Sequence, residues 1–201
     1  MNFDAAYQFA VKLLTDELPE FLAYHDVQHT KSVVREVDRI GKMEGLSDAD
    51  LCIVKTAAAF HDTGFVKEYF RNEPIGAKIA GANLTDFDYS QDEIKQIQSL
   101  ILETSFPPKP KDDLSRIICD ADLSYVGTSH FKRIAAGLKK EFFHVGLIAK
   151  EEEWLKLQVT FLKNLKFHTA TGKKLYNNDY RENLLEAEQD YARYMKTHSQ
   201  P

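Results

Sequence analysis

Helical periodicity runs through almost the whole of this 201-residue chain and constrains its fold more than any other feature. Apolar residues recur at spacings of three and four in successive stretches, which is the pattern of amphipathic helices. One stretch contains Val33, Val37 and Ile40 and follows Thr30, a residue type that commonly begins a helix. Alternating apolar and polar residues are nearly absent, and no Asn-Gly or Asp-Gly hairpin pair occurs. These features predict an all-α fold.

Local signals predict where helices begin and where loops lie. Ser47 precedes another apolar stretch, and Ser90 with Glu93 has the spacing of a capping box ahead of a third. The clearest loop covers residues 105–111, where three prolines exclude a helix. No repeat, low-complexity tract or linker divides the chain. We therefore expect one domain over residues 1–201, including a C-terminal helical extension over about residues 145–201.

Charge and cysteine usage limit the partners and the compartment. The net charge of -5 disfavours duplex nucleic acid as a partner, because an acidic surface does not attract a polyanion. Cys52 and Cys119 form no CxxC pair, which fits a reducing compartment and not a disulfide framework. No secretion signal is evident, and no apolar run approaches the roughly 20 residues needed to cross a bilayer. We expect a cytoplasmic protein without a membrane partner.

Histidine and aspartate concentrate in two short segments. Residues 24–29 include His25 and His29, whose spacing of four puts them on one face if the segment is helical. Residues 57–64 read as an apolar helix that ends in His61 and Asp62. Consecutive helix residues point about 100° apart, so these two side chains can bind one ion only at the helix end. Gly64 would permit the chain to turn there.

Another carboxylate pair, Asp120 and Asp122, ends a further apolar helix. Imidazole and carboxylate ligands together suit a divalent transition metal, and four such ligands leave coordination positions for water. A His-Asp pair at a helix end is, however, more often a surface hydrogen bond or a helix cap. Residue spacing alone leaves both interpretations open.

The histidine and aspartate motifs resemble those of the HD-domain superfamily of metal-dependent phosphohydrolases, over a core of about residues 20–130. Three motifs carry the resemblance: Tyr24-His25-x-x-x-His29, His61-Asp62-x-Gly64 and Ala121-Asp122-Leu123. The resemblance implies a compact multi-helix HD-domain bundle with a metal site between the helices. It also implies one divalent ion, either Mn, Fe, Co, Ni, Zn or Mg, with four ligands: His29, His61, Asp62 and Asp122.

The resemblance further implies the chemistry. A phosphate ester or anhydride of a small molecule, with a nucleotide as the best match, would be hydrolysed by attack of metal-bound hydroxide, and Asp62 would take part in catalysis. Residues 24–29 and 119–124 also resemble the cyclic-nucleotide phosphodiesterase branch, in which the histidine matching His25 protonates the leaving oxygen. Asp120 matches the last motif less well than Asp122, which implies that it supports the ligands without binding the metal. The alternative for Asp120 is a helix-end carboxylate bonded to solvent.

Two departures from the family pattern affect the expected site. Asn72 stands where many members carry a histidine that helps to hold a second metal, so we expect one ion. Phe65 replaces a common lysine, and Lys67 is the candidate to hold a phosphate in its place, with a solvated surface lysine as the alternative. Weaker candidates for phosphate contacts are Arg71, Lys109 and Lys111.

Two other functions compete with hydrolysis. The alternative is a non-enzymatic nucleotide-sensing or interaction module, which would be expected to lose one or more ligands, whereas this chain retains the full set. A two-iron oxygenase needs further ligands that Asn72 does not provide. Glu68 and Tyr69 do not match the Glu-Asp pair of the branch that hydrolyses guanosine alarmones, which disfavours that substrate.

Overall fold

The computed structural model describes residues 1–198, which fold into nine α-helices without a β-strand, and the predicted all-α fold is thereby confirmed. The helices are α1 Phe3–Glu17, α2 Val27–Glu44, α3 Asp48–Phe60, α4 Asn72–Asn83, α5 Gln91–Glu103, α6 Asp113–Asp122, α7 Phe131–His144, α8 Glu151–Asn164 and α9 Ala170–His198. Residues 199–201, the end of the expected C-terminal extension, lie outside the described residues.

Helix α3 lies at the centre of the fold, packed against α1, α2, α5 and α6. Residues 56–60 at its C-terminal end are completely buried, and the run Ala57–Ala59 presents only small side chains to the neighbouring helices. A helix that is apolar on every side has to be covered on every side. Because α3 ends in the interior, the residues that follow it are buried as well.

The starts of the helices follow capping chemistry. The side chain of Asp26 accepts a hydrogen bond from the backbone N–H of His29, so α2 begins at Val27 and not at Thr30. The predicted capping box of Ser90 and Glu93 is present at the start of α5. The early start of α2 fixes the direction in which its first turn presents His29.

The C-terminal helices pack against the motif-bearing part of the chain. Helix α9 contacts α2, α6, α8 and the short 3-10 helix Ser124–Gly127. The hydroxyl of Tyr176 on α9 donates a hydrogen bond to Glu36 on α2. Within residues 1–198, no helix is both long enough and apolar enough to span a membrane.

Candidate metal centre

His61 is the first residue after α3 and is almost completely buried. Its Nδ1–H donates a hydrogen bond to the carbonyl oxygen of Ala58 at 2.8 Å. A carbonyl oxygen can only accept, so Nδ1 carries the proton and the neutral ring presents an unprotonated Nε2. The backbone at the end of α3 thus sets the tautomer that a metal-binding imidazole requires.

Three side chains from different parts of the chain converge on this Nε2. It lies 3.4 Å from Nε2 of His29, 3.1 Å from Oδ2 of Asp62 and 3.6 Å from Oδ1 of Asp122. The Nε2 atom of His29 in turn lies 3.1 Å from Oδ1 of Asp122 and 3.4 Å from Oδ2 of Asp62. The structure therefore brings together all four predicted ligands at the junction of α2, α3 and α6.

The converging atoms fit a divalent ion. Nitrogen and oxygen ligands about 2.0–2.2 Å from one ion stand roughly 3.0–3.5 Å apart, close to the distances between these side chains. Oδ2 of Asp62 is buried and has no hydrogen-bond partner, which is costly unless a cation completes its surroundings. His29, His61 and Asp122 offer ligand atoms that all lie within 4.8 Å of one another. Mixed imidazole and carboxylate donors suit a transition metal.

The carboxylates of the cluster are held in their charged forms. Burial by itself would raise the pKa of Asp122, but the nearby imidazoles of His29 and His61 outweigh it and hold that pKa well below its usual range. The pKa of Asp62 is also lowered, since the favourable field of His61 outweighs burial. The site therefore presents two anionic carboxylates beside two imidazoles, as a cation requires.

Asp62 is positioned by the close packing of the 3-10 helix Thr63–Val66 on the start of α4. A Cβ at Gly64 would overlap the backbone carbonyl of Asn72, so only glycine allows this approach. Gly64 is thus required for this close contact, and its φ is not positive. Asn72 is buried and its side-chain amide lies 3.5 Å from Oδ1 of Asp62.

His25 does not lie on the same helix as His29, because α2 begins only at Val27. Its position is set by the fully buried Glu141 of α7. Oε1 of Glu141 accepts the backbone N–H groups of Tyr24 and His25 at 2.5 and 2.9 Å, and Oε2 lies 2.6 Å from Nδ1 of His25. The expectation that the two histidines share one helix face is therefore wrong. His25 is positioned instead by a carboxylate 116 residues away in the sequence.

The contact with Glu141 changes the protonation of His25. Burial lowers the pKa of His25, but the hydrogen bond that its Nδ1–H donates to the Glu141 carboxylate, together with the nearby negative charges, more than offsets burial, so the pKa of the imidazole is raised. The same pairing lowers the pKa of Glu141 against the effect of its burial. The ring of Phe65 stacks on that of His25 with centroids 4.3 Å apart. The hydrogen bond and the stacking thus hold the His25 ring in one orientation beside the Glu141 carboxylate.

Sequence reasoning missed Glu141, although one signal was present. It lies three residues after Leu138 and seven after Ile134, on the apolar face of α7. A carboxylate on an apolar helix face has to find a partner when it is buried. The pattern could have singled out Glu141 as a paired residue, but not identified His25 as its partner.

Two further predicted residues lie away from the cluster. Lys67 is exposed, and its Nζ pairs with Oε2 of Glu17 at 2.9 Å. Asp120 accepts hydrogen bonds from the backbone of His168 and from the backbone and hydroxyl of Thr169. Asp120 therefore attaches the segment before α9 to the core. The resemblance implied instead that Asp120 supports the metal ligands, and none of its hydrogen bonds reaches them.

A cavity of about 530 Å³ opens from the cluster, with His25, His61, Asp62 and Asp122 among its lining residues. Its other walls come mainly from α7, α8 and the loop after α5. A volume of this size accommodates a small organic molecule. The candidate metal centre is therefore also the floor of a ligand-sized space.

Comparisons with known proteins agree with this architecture. The family model described as the HD domain matches residues 26–124. The fold is similar to a crystal structure of a predicted HD superfamily hydrolase from an uncultured Thermotogales bacterium, with 17% identity, a TM-score of 0.62 and coverage of 93% of this chain and 92% of the other. It is also similar to Bacillus subtilis YpgQ in complex with ADP, with 19% identity, a TM-score of 0.63 and coverage of 96% and 98%.

Among curated proteins, none matches this chain. The family match covers the segment that carries His29, His61, Asp62 and Asp122, and the structural similarities extend over nearly all of the chain. This chain belongs to the HD-domain superfamily.

Proposed function

We propose that the protein is a metal-dependent phosphohydrolase acting on a phosphate ester or anhydride of a small molecule. The observation that carries the proposal is the buried convergence of His29, His61, Asp62 and Asp122, the last three of which line a cavity. The uncompensated oxygen of Asp62 supports a bound cation, because nothing else satisfies it. We propose one ion, since Asn72 offers an amide where a second-metal histidine would stand.

The proposed roles of the side chains follow from their positions. A divalent ion at the cluster would lower the pKa of water and offset negative charge on a phosphoryl group. His25 lines the cavity, and because Glu141 occupies its Nδ1, Nε2 is the nitrogen free to face a substrate. We assign this nitrogen the transfer of a proton to the leaving oxygen, which needs an imidazolium. Glu141 keeps the ring charged and oriented for that step.

Lys67 has no part in this mechanism. Its ammonium pairs with Glu17 at the surface and is not among the residues that line the cavity. The charge on the phosphate is instead met by the metal cluster and by His25. This assignment replaces the sequence-based expectation that Lys67 holds a phosphate.

The family resemblance suggests a nucleotide as the substrate class, and the complex of Bacillus subtilis YpgQ with ADP supports a nucleotide as a candidate substrate. The competing function is a nucleotide-binding module without activity. The complete ligand set and the oriented pair of His25 and Glu141 favour an enzyme, because a module that only binds needs no proton donor. The cytoplasmic location stays a prediction from the sequence.

The test is hydrolysis by purified protein supplied in turn with Mn²⁺, Co²⁺, Ni²⁺ and Mg²⁺. Substrates should include p-nitrophenyl phosphate, bis(p-nitrophenyl) phosphate, a cyclic nucleotide, AMP and ADP. We expect turnover with at least one ion and substrate, loss on chelation and recovery when the ion is returned. Tight binding of nucleotides with no turnover under any condition would instead support the non-enzymatic module.

A further inference from the structure

The walls of the cavity carry unusually little charge for a phosphate-binding site. Among residues 1–198, no lysine or arginine lines the cavity. Lys67 and Lys111 are paired at the surface with Glu17 and Glu103, at 2.9 and 3.0 Å. Polyphosphates are usually held by arginine forks or lysine ammonium groups. A ligand with several phosphate groups would find no such partner here.

The charges that do line the cavity are mainly negative. Asp62 and Asp122 would be offset by a divalent ion, and Glu73 lines the cavity without a cation among the lining residues. His25 supplies one positive charge, but it is already paired with Glu141 at 2.6 Å. The balance suits a ligand with one phosphate group, because each further phosphate adds negative charge without a matching cation.

Another part of the cavity wall is apolar. It is formed by large side chains of α7 and α8, and Phe142 and Trp154 contact each other there with ring centroids 6.1 Å apart. Leu138 and Phe161 extend the same surface. Water in such a space has few hydrogen-bond partners, so its displacement by an apolar group is favourable.

The mouth of the cavity is apolar as well. Four of the nine most exposed large hydrophobic side chains among residues 1–198 lie on it, with 40–58% of their surface exposed: Phe70, Phe106, Leu147 and Leu157. Exposed apolar residues that occur singly need no explanation, but a group at the entrance of a cavity indicates contact with a ligand. Apolar side chains therefore line both this rim and the wall formed by α7 and α8.

We infer that the preferred ligand of this cavity carries a single phosphate group joined to a large apolar group, aliphatic or aryl, and is not a nucleoside polyphosphate. The phosphate would lie at the metal centre and the apolar group against α7 and α8. This inference names the substrate class of the proposed phosphohydrolase and rests on that proposal. It differs from the nucleotide expectation in assigning the recognition to apolar contact.

Binding of alkylphosphonates, which cannot be hydrolysed, tests the inference separately from catalysis. Calorimetry with Mn²⁺-loaded protein should compare methyl-, butyl- and octylphosphonate with AMP and ATP. Each buried methylene stabilises binding by about 0.8 kcal/mol, or roughly a factor of four, so octylphosphonate should bind at least about 100-fold more tightly than methylphosphonate. AMP should bind more weakly than octylphosphonate, and ATP more weakly than AMP.

A matched pair of surface variants tests the location. Leu157→Glu places a carboxylate on the rim, whereas Leu185→Glu makes the same change at an exposed site on α9 that does not line the cavity. We expect Leu157→Glu to weaken the binding of octylphosphonate about tenfold and to leave the binding of methylphosphonate unchanged, because only the longer chain reaches the rim. Leu185→Glu should change neither.

The outcomes separate the two claims. An affinity that does not change with chain length, tighter binding of AMP or ATP than of octylphosphonate, or equal effects of the two variants would overturn the inference. The expected chain-length dependence without hydrolysis of octyl phosphate or any other phosphate ester would support the inferred recognition and overturn the phosphohydrolase proposal.

Discussion

The two ends of the cavity are built from different chemistry and from different parts of the chain. At the metal end, imidazoles and carboxylates meet within 3.1–3.6 Å of one another, and all four come from the segment matched by the HD family. At the other end, aromatic and aliphatic side chains of α7 and α8 face the same space, and they follow that segment. Glu141 is the exception, since it lies on α7 but acts at the metal end.

This difference suggests a division of labour. Under the proposed function, the metal end would act on the phosphate of every substrate, whereas the apolar end would distinguish one organic group from another. Substitutions at the metal end should therefore change turnover on every substrate, and substitutions at the apolar end should change affinity only for ligands long enough to reach it.

The largest effect is expected for Asp62→Ala. This variant removes the buried ligand whose Oδ2 has no other partner, so metal binding and turnover should be lost while the helical circular dichroism is retained. Wild-type protein at a metal concentration 100 times the Kd should gain about 2.7 kcal/mol of stability, which the variant should not gain. Thermal melts with and without Mn²⁺ provide the measurement.

The matched control for Asp62→Ala is Phe142→Leu at the apolar end. It should keep the metal-dependent rise in melting temperature, because Phe142 lies among apolar residues of α7 and α8. If both variants lost the metal, the two ends of the cavity would not be separable in the way described.

The next largest effect is expected for His25→Ala. Loss of a general acid should lower turnover about 10²–10⁴-fold for substrates with alkoxide leaving groups. The loss should be small for p-nitrophenyl esters, whose leaving group needs little protonation, and bound metal should be unchanged. Parallel kinetics and metal analysis would check this. Equal losses on both kinds of substrate would argue for a positioning role, and loss of the metal would make His25 a ligand.

A smaller effect is expected for Glu141→Gln, about ten- to a hundredfold on alkoxide substrates, as is usual for groups that orient a functional side chain. The glutamine keeps the shape but removes the charge of the carboxylate whose hydrogen bond contributes most to the raised pKa of His25. The imidazolium is lost as pH rises through its pKa, so the alkaline limb of the pH-rate profile should move to lower pH. A drop in activity with an unmoved limb would indicate a structural role alone.

The smallest effect is expected for Lys67→Ala. Its ion pair with Glu17 is exposed, and such pairs contribute at most about 1 kcal/mol to stability. Turnover and metal binding should change by less than about threefold. A larger loss of kcat/KM that alanine variants of other surface lysines do not show would indicate that Lys67 holds the phosphate after all.

The sequence was informative where chemistry is local. His61 and Asp62 end one apolar helix and Asp122 ends another, so periodicity alone indicated that these residues leave the core at helix ends. The convergence of the two ends with His29 depends on how α2, α3 and α6 pack, and only the family resemblance indicated it. The position of the Ser90 capping box could likewise be predicted, because its two partners are three residues apart.

Long-range pairing could not be predicted. The partner of His25 is 116 residues away, and Asp120 contacts residues 48 and 49 positions later. Neither contact leaves a periodic signal. Gly64 was recognised as special, but its reason, the close backbone of Asn72, depends on the packing of α4. The apolar cavity was not predicted either, because helical periodicity does not distinguish an apolar face packed in the core from one that lines a cavity.

The central claim is that His29, His61, Asp62 and Asp122 hold one divalent ion. Elemental analysis of metal per chain in wild type, Asp122→Asn and Asp120→Asn tests it most directly, since the two aspartates lie on one helix but only Asp122 faces the cluster. We predict one equivalent in wild type and in Asp120→Asn, and almost none in Asp122→Asn. Full occupancy in Asp122→Asn, or two equivalents in wild type, would contradict the account.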